Sequence, residues 1–313
     1  MNFRQRRSVR GFTLIELLVV VAIIAVLISI LLPSLRGARD QAKQVQCGAG
    51  LRSFGIGFLA YAADNNSYVC SGAFDPEVSN GRDGPVDKVG WVADLVNAKL
   101  AFPNQQRCPS NVAQYNQKLA PGAAGSNSYT EAQVRDLVAR GYNSNYTQFW
   151  FMARSEVNPN ASSSFNWRRV NTCMGPYRAG RYPRVADSTV PLLGDGRTDL
   201  DGGRYEDMVL GEPSVKTMTD GPYSGPYDIQ NFADIGPAHG FGSRLPNKPH
   251  ARLRANVLFA DGHVSVFVDK VRNGEFRVND ATDPVDQEDI DSMEVFDGVL
   301  SLGRRSSDAF MPR

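Results

Sequence analysis

The sequence predicts an α+β protein in which one long N-terminal helix packs on an antiparallel β-sheet with long loops. Three observations lead to this fold. An apolar stretch runs from Phe12 to Leu32, a helical pattern continues from it to residue 63, and an Asp-Gly pair joins two β-rich runs at 255–268. The 313 residues include 29 Gly and 18 Pro, a composition that favours a loop-rich domain with β-structure over a helical bundle.

The apolar stretch is long enough to cross a membrane. Phe12 to Leu32 contains 21 residues, and Glu16 is the ionisable one among them. A helix of this length extends about 31 Å, which matches a hydrocarbon core of about 30 Å. A carboxylate in such a helix is costly without a partner, so Glu16 argues for more than a plain anchor.

The residues on either side of this stretch help to distinguish between a membrane anchor and an export signal. Four arginines precede Gly11, at positions 4, 6, 7 and 10. The apolar run is longer than the h-region of a secretory signal peptide, and residues 33–38 form a poor cleavage site. A twin-arginine export signal at Arg6-Arg7 has little support among so many arginines. The excess of arginine before the span places the N-terminus in the cytoplasm and the bulk of the chain outside.

The same residues resemble the type IV prepilin signature, in which a short basic leader ends in Gly and the mature chain starts with Phe. Glu16 is the fifth residue counted from Phe12, the position where this family has Glu. The resemblance implies that a prepilin peptidase cleaves between Gly11 and Phe12 and that Phe12 becomes N-methylated. It also implies that Glu16 serves assembly by pairing with the N-terminal amine of a neighbouring subunit, and that the fold is pilin-like.

Four segments follow from this interpretation. Residues 1–11 are the basic leader, 12–33 the transmembrane and assembly helix, 34–63 its continuation, and 64–313 the extracytoplasmic globular domain. Pro33 is expected to kink the helix. The continuation has apolar residues at helical spacing, which predicts burial in the globular domain: Leu51, Phe54, Phe58, Leu59 and Ala62. A turn cluster at 64–67 ends the helix.

Within the globular domain, local patterns predict several short elements. Residues 91–96 favour a short helix, and Thr130 can cap a second helix whose apolar side includes Val134 and Leu137. Residues 142–151 and 190–196 favour strands. The arginines of 167–184 are interpreted as a solvated loop and not a nucleic-acid face. The acids at 199–207 are likewise interpreted as solvated and not a calcium site, and 280–297 as an acidic C-terminal segment.

The hairpin at 255–268 is the clearest element of the globular domain. A two-residue Asp261-Gly262 turn would pair Ala260 with His263. The apolar face on which the helix packs would then consist of Ala255, Val257, Phe259, Val264, Val266 and Val268.

Residues 256–264 resemble the H-X9-DG domain found at the end of planctomycete-type proteins with a prepilin N-terminus. The chain departs from the family pattern at the histidine, because ten residues separate His250 from Asp261 and the family has nine. The sequence around Cys47 and the Cys108-Pro109-Ser110 motif look like the same family.

The four cysteines lack a CxxC spacing, which argues against a zinc ribbon or a thioredoxin-like site. An even number allows one or two disulfides, and four buried thiols are the alternative. If one pair forms, the family-like surroundings of Cys47 and Cys108 favour these two. A metal cluster of His250, His263 and Asp261 is conceivable near the hairpin but has little support, so no metal site is predicted.

No catalytic residues and no cofactor are predicted, because the sequence lacks the common nucleophile, metalloprotease, P-loop and dinucleotide motifs. The net charge of +1 gives no indication of a nucleic-acid partner. We therefore predict a structural subunit, or a minor pseudopilin-like component, of a type II secretion or type IV pilus-like filament in the inner membrane. Its expected partners are prepilin peptidase and other pilin-like subunits. The alternative is an exported binding protein, for a glycan or a metal, that uses the prepilin segment as a tether.

Overall fold

The computed structural model describes residues 12–72, 84–120, 129–157, 173–182, 185–197, 200–201, 204–205, 208–219, 221, 230, 232, 234–236, 238–241, 252–268 and 276. Gly11, His250, the acidic segment 280–297 and residues 167–172 and 183–184 of the arginine-rich segment lie outside the described residues. So do three of the four loop acids between 199 and 207.

Helix α1 (Leu14–Asp64) is one continuous helix of 51 residues. Thr13 caps its N-terminus, and the helix continues through Pro33. It contains an 18-residue window of mean hydropathy 3.2 that is 0% buried, so α1 is long and apolar enough to cross a membrane. The predicted single helix and its end at Asp64 are confirmed.

The second half of α1 lies in the core. Leu51, Phe54 and Phe58 are 0–1% exposed, as their spacing predicts, whereas Leu59 is 41% exposed and does not belong to the buried stripe. The helix approaches the sheet closely at Gly55, where an added Cβ would lie 2.9 Å from Leu258 Cδ1 and 3.2 Å from Gly262 Cα. A larger residue there would overlap the hairpin, so the low helix propensity of glycine is offset by packing.

Three shorter helices follow: α2 (Trp91–Asn97), α3 (Glu131–Ala139) and α4 (Trp150–Ala153). The predictions for α2 and α3 are confirmed, including the Thr130 cap, which forms a capping box with Gln133. The predicted strand region 142–151 is only partly right, because residues 146–148 form a strand and its last two residues begin α4. Single 3₁₀ turns occupy Pro103–Gln105, Gln117–Leu119 and Asp187–Thr189.

The described strands are mostly short. They are β1 (Tyr115–Asn116), β2 (Tyr146–Gln148), β3 (Glu156–Val157), β4 (Cys173–Met174), β5 (Pro191–Asp195), β6 (Leu200–Asp201), β7 (Arg204–Tyr205), β8 (Met208–Val209), β9 (Glu212–Val215), β10 (His239–Phe241), β11 (Arg252–Phe259) and β12 (Val264–Val268). Strand β5 confirms the strand predicted at 190–196.

The main sheet is antiparallel and is built around β11. One edge of β11 pairs with β12, and the other pairs with both β10 and β5. The register places His239 opposite Arg254 and Gly194 opposite Val257, and β2 then extends the sheet beyond β5. Strands β10 and β5 therefore meet end to end along β11, near Ala255 and Asn256. A smaller sheet in the order β1-β9-β8 lies apart from it.

The β11–β12 hairpin exists, but its predicted register is wrong by one residue. Leu258 lies opposite Val264 and Val257 opposite Ser265. The amide of Gly262 donates to the carbonyl of Phe259, and Gly262 has φ +86° while Asp261 is not among the residues with positive φ. A two-residue type I′ turn needs positive φ at both central residues, so the chain uses a three-residue turn with glycine at its left-handed position.

This shift splits the predicted face, because each residue of β12 now shares a side with the other set of β11 residues. Helix α1 packs on the face that includes Leu258 and Val264, and not on the predicted Val257 face. The opposite face forms a second apolar cluster, with Phe149, Phe232, Ile235, Ala255, Val257, Phe259, Phe267 and Phe276. Of the predicted face, Ala255, Val257 and Phe259 are thus buried away from the helix, whereas Val264 packs on the helix side and Val266 is 47% exposed.

Candidate functional site

The start of α1 is organised around Thr13 and Glu16. The Thr13 amide and hydroxyl both donate to Glu16 Oε2, over 2.9 and 2.8 Å, and the Glu16 amide donates to Thr13 Oγ1 over 3.2 Å. This reciprocal arrangement is a capping box, which the Thr-x-x-Glu spacing could have predicted and the sequence analysis missed. Glu16 therefore has a partner within its own helix.

The surface of α1 after this cap is an exposed apolar cylinder. The large apolar side chains from Phe12 to Leu32 are each 45–77% exposed. Their extent far exceeds the isolated apolar patches of soluble proteins, so this half of α1 requires lipid or other helices around it.

A second candidate site lies deep in the globular domain, where four potential ligand side chains converge. One atom from each of Cys47, Cys108, Asp195 and His239 lies within 4.8 Å of the others, and all four residues are buried. The Cys47 and Cys108 sulfurs are 2.6 Å apart. His239 Nε2 lies 3.5 Å from Cys108 Sγ and 3.3 Å from Asp195 Oδ2. We call these four residues the cysteine cluster.

The cluster draws on four separate parts of the fold. Cys47 comes from α1, and Cys108 from the loop after the 3₁₀ turn at 103–105. Asp195 is the last residue of β5 and His239 the first of β10, and these ends meet on one edge of β11. The cluster thus forms where the helix, the loop and the sheet come together.

Hydrogen bonds hold two of these residues in position. The Cys108 amide donates to Asn145 Oδ1 over 2.8 Å, and Asn145 Nδ2 donates back to the Cys108 carbonyl over 2.9 Å. The Asn256 amide donates to Asp195 Oδ2 over 2.7 Å. In contrast, Asp195 Oδ1 and His239 Nδ1 are buried and have no hydrogen-bond partner within the part of the chain that the structure describes.

Proton affinities in the cysteine cluster are shifted by its burial and by its contacts. Burial lowers the pKa of His239, but hydrogen bonding to Asp195 and Cys108 raises it more, to about 9. The contact with Cys47 and burial both raise the pKa of the Cys108 thiol well above its usual range. Both shifts have the same physical origin, which is the close contact of these groups away from water.

The predicted site residues have different outcomes. The structure brings Cys47 and Cys108 together, and the disulfide between them stays a prediction. Cleavage after Gly11, methylation of Phe12 and an assembly role of Glu16 also stay predictions. His263 is partly exposed and contacts Asp261 over 2.6 Å, away from the cysteine cluster. Asp195 and His239 were missed; a position at the end of a predicted strand was the one available indication for Asp195.

Comparison with known proteins bears on the N-terminal region. The model of the prokaryotic N-terminal methylation motif matches residues 6–32. The chain is 45% identical over 67 residues to the type IV wide pilus major component PilA4 of Thermus thermophilus, covering 21% of this chain and 51% of that protein. It is 32% identical over 84 residues to type II secretion system core protein G of Aeromonas hydrophila, covering 27% of this chain and 54% of that protein.

These alignments span about half the length of the two relatives. A longer one joins the chain to type II secretion system core protein G of Pseudomonas aeruginosa, with 36% identity over 128 residues, covering 39% of this chain and 80% of that protein. No solved structure matches the chain. On the strength of the Pseudomonas alignment, the chain belongs to the family of type II secretion system core protein G.

Proposed function

We propose that the protein is a structural subunit, or a minor pseudopilin-like component, of a filament of the type II secretion or type IV pilus kind. The observation that supports this most is the division of α1. Its first half exposes a continuous apolar surface, and its second half is fixed in the globular domain. Parallel packing of many such first halves would cover the apolar surface once the subunits leave the lipid.

Processing by prepilin peptidase would prepare the chain for this role. Cleavage between Gly11 and Phe12 removes the arginine-rich leader, and methylation then modifies the new amine of Phe12. The protein would be a single-pass protein of the inner membrane, with the N-terminus cytoplasmic and the globular domain extracytoplasmic. The methylation motif at residues 6–32 supports this proposal.

Glu16 can serve its own helix and a neighbouring subunit at the same time. Both hydrogen bonds from Thr13 end on Oε2, so Oε1 is available to an N-terminal amine of a second chain. Such a pairing neutralises a carboxylate and an ammonium group in an apolar surrounding, where either alone is costly. Capping and assembly are therefore separable roles of this residue.

The test compares Glu16→Gln with Glu16→Leu. Glutamine keeps the acceptor for the Thr13 cap but has no charge, whereas leucine loses both. We expect both variants to be cleaved after Gly11, as checked by intact mass, and both to lose subunit–subunit crosslinking in membranes by about tenfold or more, equivalent to about 1.4 kcal/mol. If Glu16→Gln crosslinks as well as the wild type, the charge of Glu16 is not used in assembly. If the wild-type chain from cells with the peptidase still starts at Met1, the proposed processing is refuted.

A second function has one observation in its favour. The Pseudomonas alignment covers 39% of this chain, so most of the 313 residues have no counterpart in it. A membrane-tethered exported binding protein, for a glycan or a metal, would account for that extra domain. Recovery of the mature protein with sheared filaments favours the filament subunit, and recovery as a membrane monomer favours the tethered binding protein.

The resemblance of residues 256–264 to an H-X9-DG domain also remains a proposal. It would place the chain among proteins that combine a prepilin N-terminus with this C-terminal domain. It supplies no biochemical activity.

A further inference from the structure

We propose that the cysteine cluster is a binding site for a divalent transition-metal ion, with Zn²⁺ as the ion that fits best, and that the ion ties α1 to the sheet. No metal site is predicted from the sequence, and a metal ion could bind here whether or not the protein is a filament subunit.

The chemistry of the four side chains matches zinc. Thiolate sulfur, imidazole nitrogen and carboxylate oxygen are the ligands that zinc takes in proteins, and four of them complete a tetrahedral site. Cys47, Cys108, Asp195 and His239 supply one such atom each, all within 4.8 Å of one another. Hard oxygen-only ions such as Ca²⁺ and Mg²⁺ do not suit a pair of sulfurs.

The separations require one local adjustment. Tetrahedral zinc with bonds of about 2.0–2.3 Å places its ligand atoms about 3.3–3.8 Å apart. His239 Nε2 meets this range, with 3.5 Å to Cys108 Sγ and 3.3 Å to Asp195 Oδ2. The two sulfurs, at 2.6 Å, would have to separate by about 1 Å, which a small rotation of either side chain provides.

An unpartnered atom provides a second, independent observation. Asp195 has a 0% exposed side chain, and its Oδ1 has no hydrogen-bond donor among the described residues, while Oδ2 is held by the Asn256 amide. A buried carboxylate oxygen without a donor is strongly unfavourable. A cation in the cluster would give this oxygen a partner.

The ligands are held by the fold and not by flexible loops alone. Asn145 fixes Cys108 through two hydrogen bonds, and Asn145 directly precedes β2, which pairs with β5. Both metal ligands of the sheet lie at strand ends on one edge of β11. Metal binding would therefore need little rearrangement, in contrast to a site made of long loops.

The Cys47–Cys108 disulfide and the metal site are mutually exclusive. A disulfide removes both sulfur ligands and leaves an imidazole and a carboxylate, which is too few for tight zinc binding. The metal therefore binds the reduced chain. Two states of the cluster compete with metal binding: a Cys47–Cys108 disulfide and a His239–Asp195 ion pair without metal.

The test uses the full mature chain in detergent, reduced with a phosphine and freed of metal by a chelator. Co²⁺ is then titrated and followed by the sulfur-to-cobalt and tetrahedral d–d absorption bands, with Zn²⁺ added to displace it. We expect one equivalent of cobalt with thiolate absorption. Cys108→Ser and Asp195→Asn should weaken binding by at least about tenfold.

Two matched controls accompany these variants. Cys70→Ser removes another buried cysteine, and His263→Gln removes a histidine outside the cluster; both should bind cobalt as the wild type does. Circular dichroism checks that each variant is folded. A wild-type chain with free Cys47 and Cys108 thiols, shown by alkylation, that takes up no cobalt overturns the proposal. So does a disulfide that persists under reduction, or equal loss of binding in the controls.

Discussion

The two halves of α1 differ in the surroundings of their apolar residues. From Phe12 to Leu32 the large side chains are at least 45% exposed, whereas Cys47, Leu51, Phe54 and Phe58 are at most 1% exposed. The first half has almost no polar residues, and the second half alternates apolar and polar residues around the helix. The same secondary structure thus serves a lipid or helical surrounding at one end and a protein core at the other.

The two halves of α1 also differ in their glycine content. Gly55 and Gly57 lie in the second half, where an added Cβ would come within 3 Å of Leu258 and Leu95 respectively. The first half has no glycine from Phe12 to Leu32 and uses β-branched residues and leucine instead. Close packing on a fixed partner selects small residues, and an exposed apolar cylinder does not.

The largest expected effect is a loss of domain stability when an apolar side chain of the buried half of α1 is truncated. The same truncation in the exposed half serves as the comparison. Phe54 lies against Trp91 and Tyr146, with ring centroids 5.6 Å apart in both pairs. Phe54→Ala should destabilise the globular domain by about 3–5 kcal/mol. Leu27→Ala, at a position that is 55% exposed, should change domain stability by less than about 0.5 kcal/mol. Urea unfolding of the full chain in detergent measures both, and equal losses would contradict the division of the helix.

A smaller effect is expected at Asp94 on α2, which packs against the buried half of α1. Burial raises the pKa of Asp94 to about 6, although hydrogen bonds from Ser71 and Tyr61 lower it. Because the folded chain binds this proton more tightly than the unfolded chain, the free energy of unfolding should gain about 1–3 kcal/mol from Asp94 as pH falls from about 6 to 4.

Asp94→Asn should remove this contribution to the pH dependence. The control is Asp136→Asn, because the Asp136 side chain is 63% exposed and pairs with Arg140 on the surface of α3. Unfolding free energies at pH 7 and pH 4.5 measure the effect. An Asp94→Asn variant with the full pH dependence of the wild type would assign that dependence to other groups.

The smallest effect is expected at the cap of α1. Thr13→Ala removes the acceptor for the Glu16 amide and should weaken the first turn by about 1 kcal/mol, while Thr13→Ser should retain the cap. Amide hydrogen exchange should rise at the first turn and stay unchanged at residues 47–64. A shift of the domain unfolding midpoint would show that the two halves of α1 are coupled.

Local patterns were sufficient to predict much of the fold. The apolar run, the stripe of Leu51, Phe54 and Phe58, and the Thr130 cap each depend on residues a few positions apart, and each was correctly anticipated. The exposure of Leu59 was not anticipated, because the exposure of this side chain depends on how far the sheet extends around the helix.

The hairpin register and the cysteine cluster could not be predicted, because both depend on non-local geometry. The hairpin register depends on the φ angle of Asp261, and an Asp-Gly pair is compatible with a two-residue or a three-residue turn. The cysteine cluster joins Cys108 to His239 across 131 positions of sequence. That proximity depends on two strands sharing one edge of β11, which no local pattern in the sequence specifies.

The position of Cys47 along α1 has a mechanical consequence. It is the first residue of the helix, counted from the N-terminus, that is no more than 1% exposed among the described side chains. A pulling force along α1 from the membrane would reach the domain at Gln44, which accepts hydrogen bonds from Arg254 and Asn256, and at Cys47 one turn later. It would act there as shear between the helix and the sheet. A crosslink at Cys47, whether a metal ion or a disulfide, would resist sliding of the helix before the contacts of Leu51, Phe54 and Phe58 are strained.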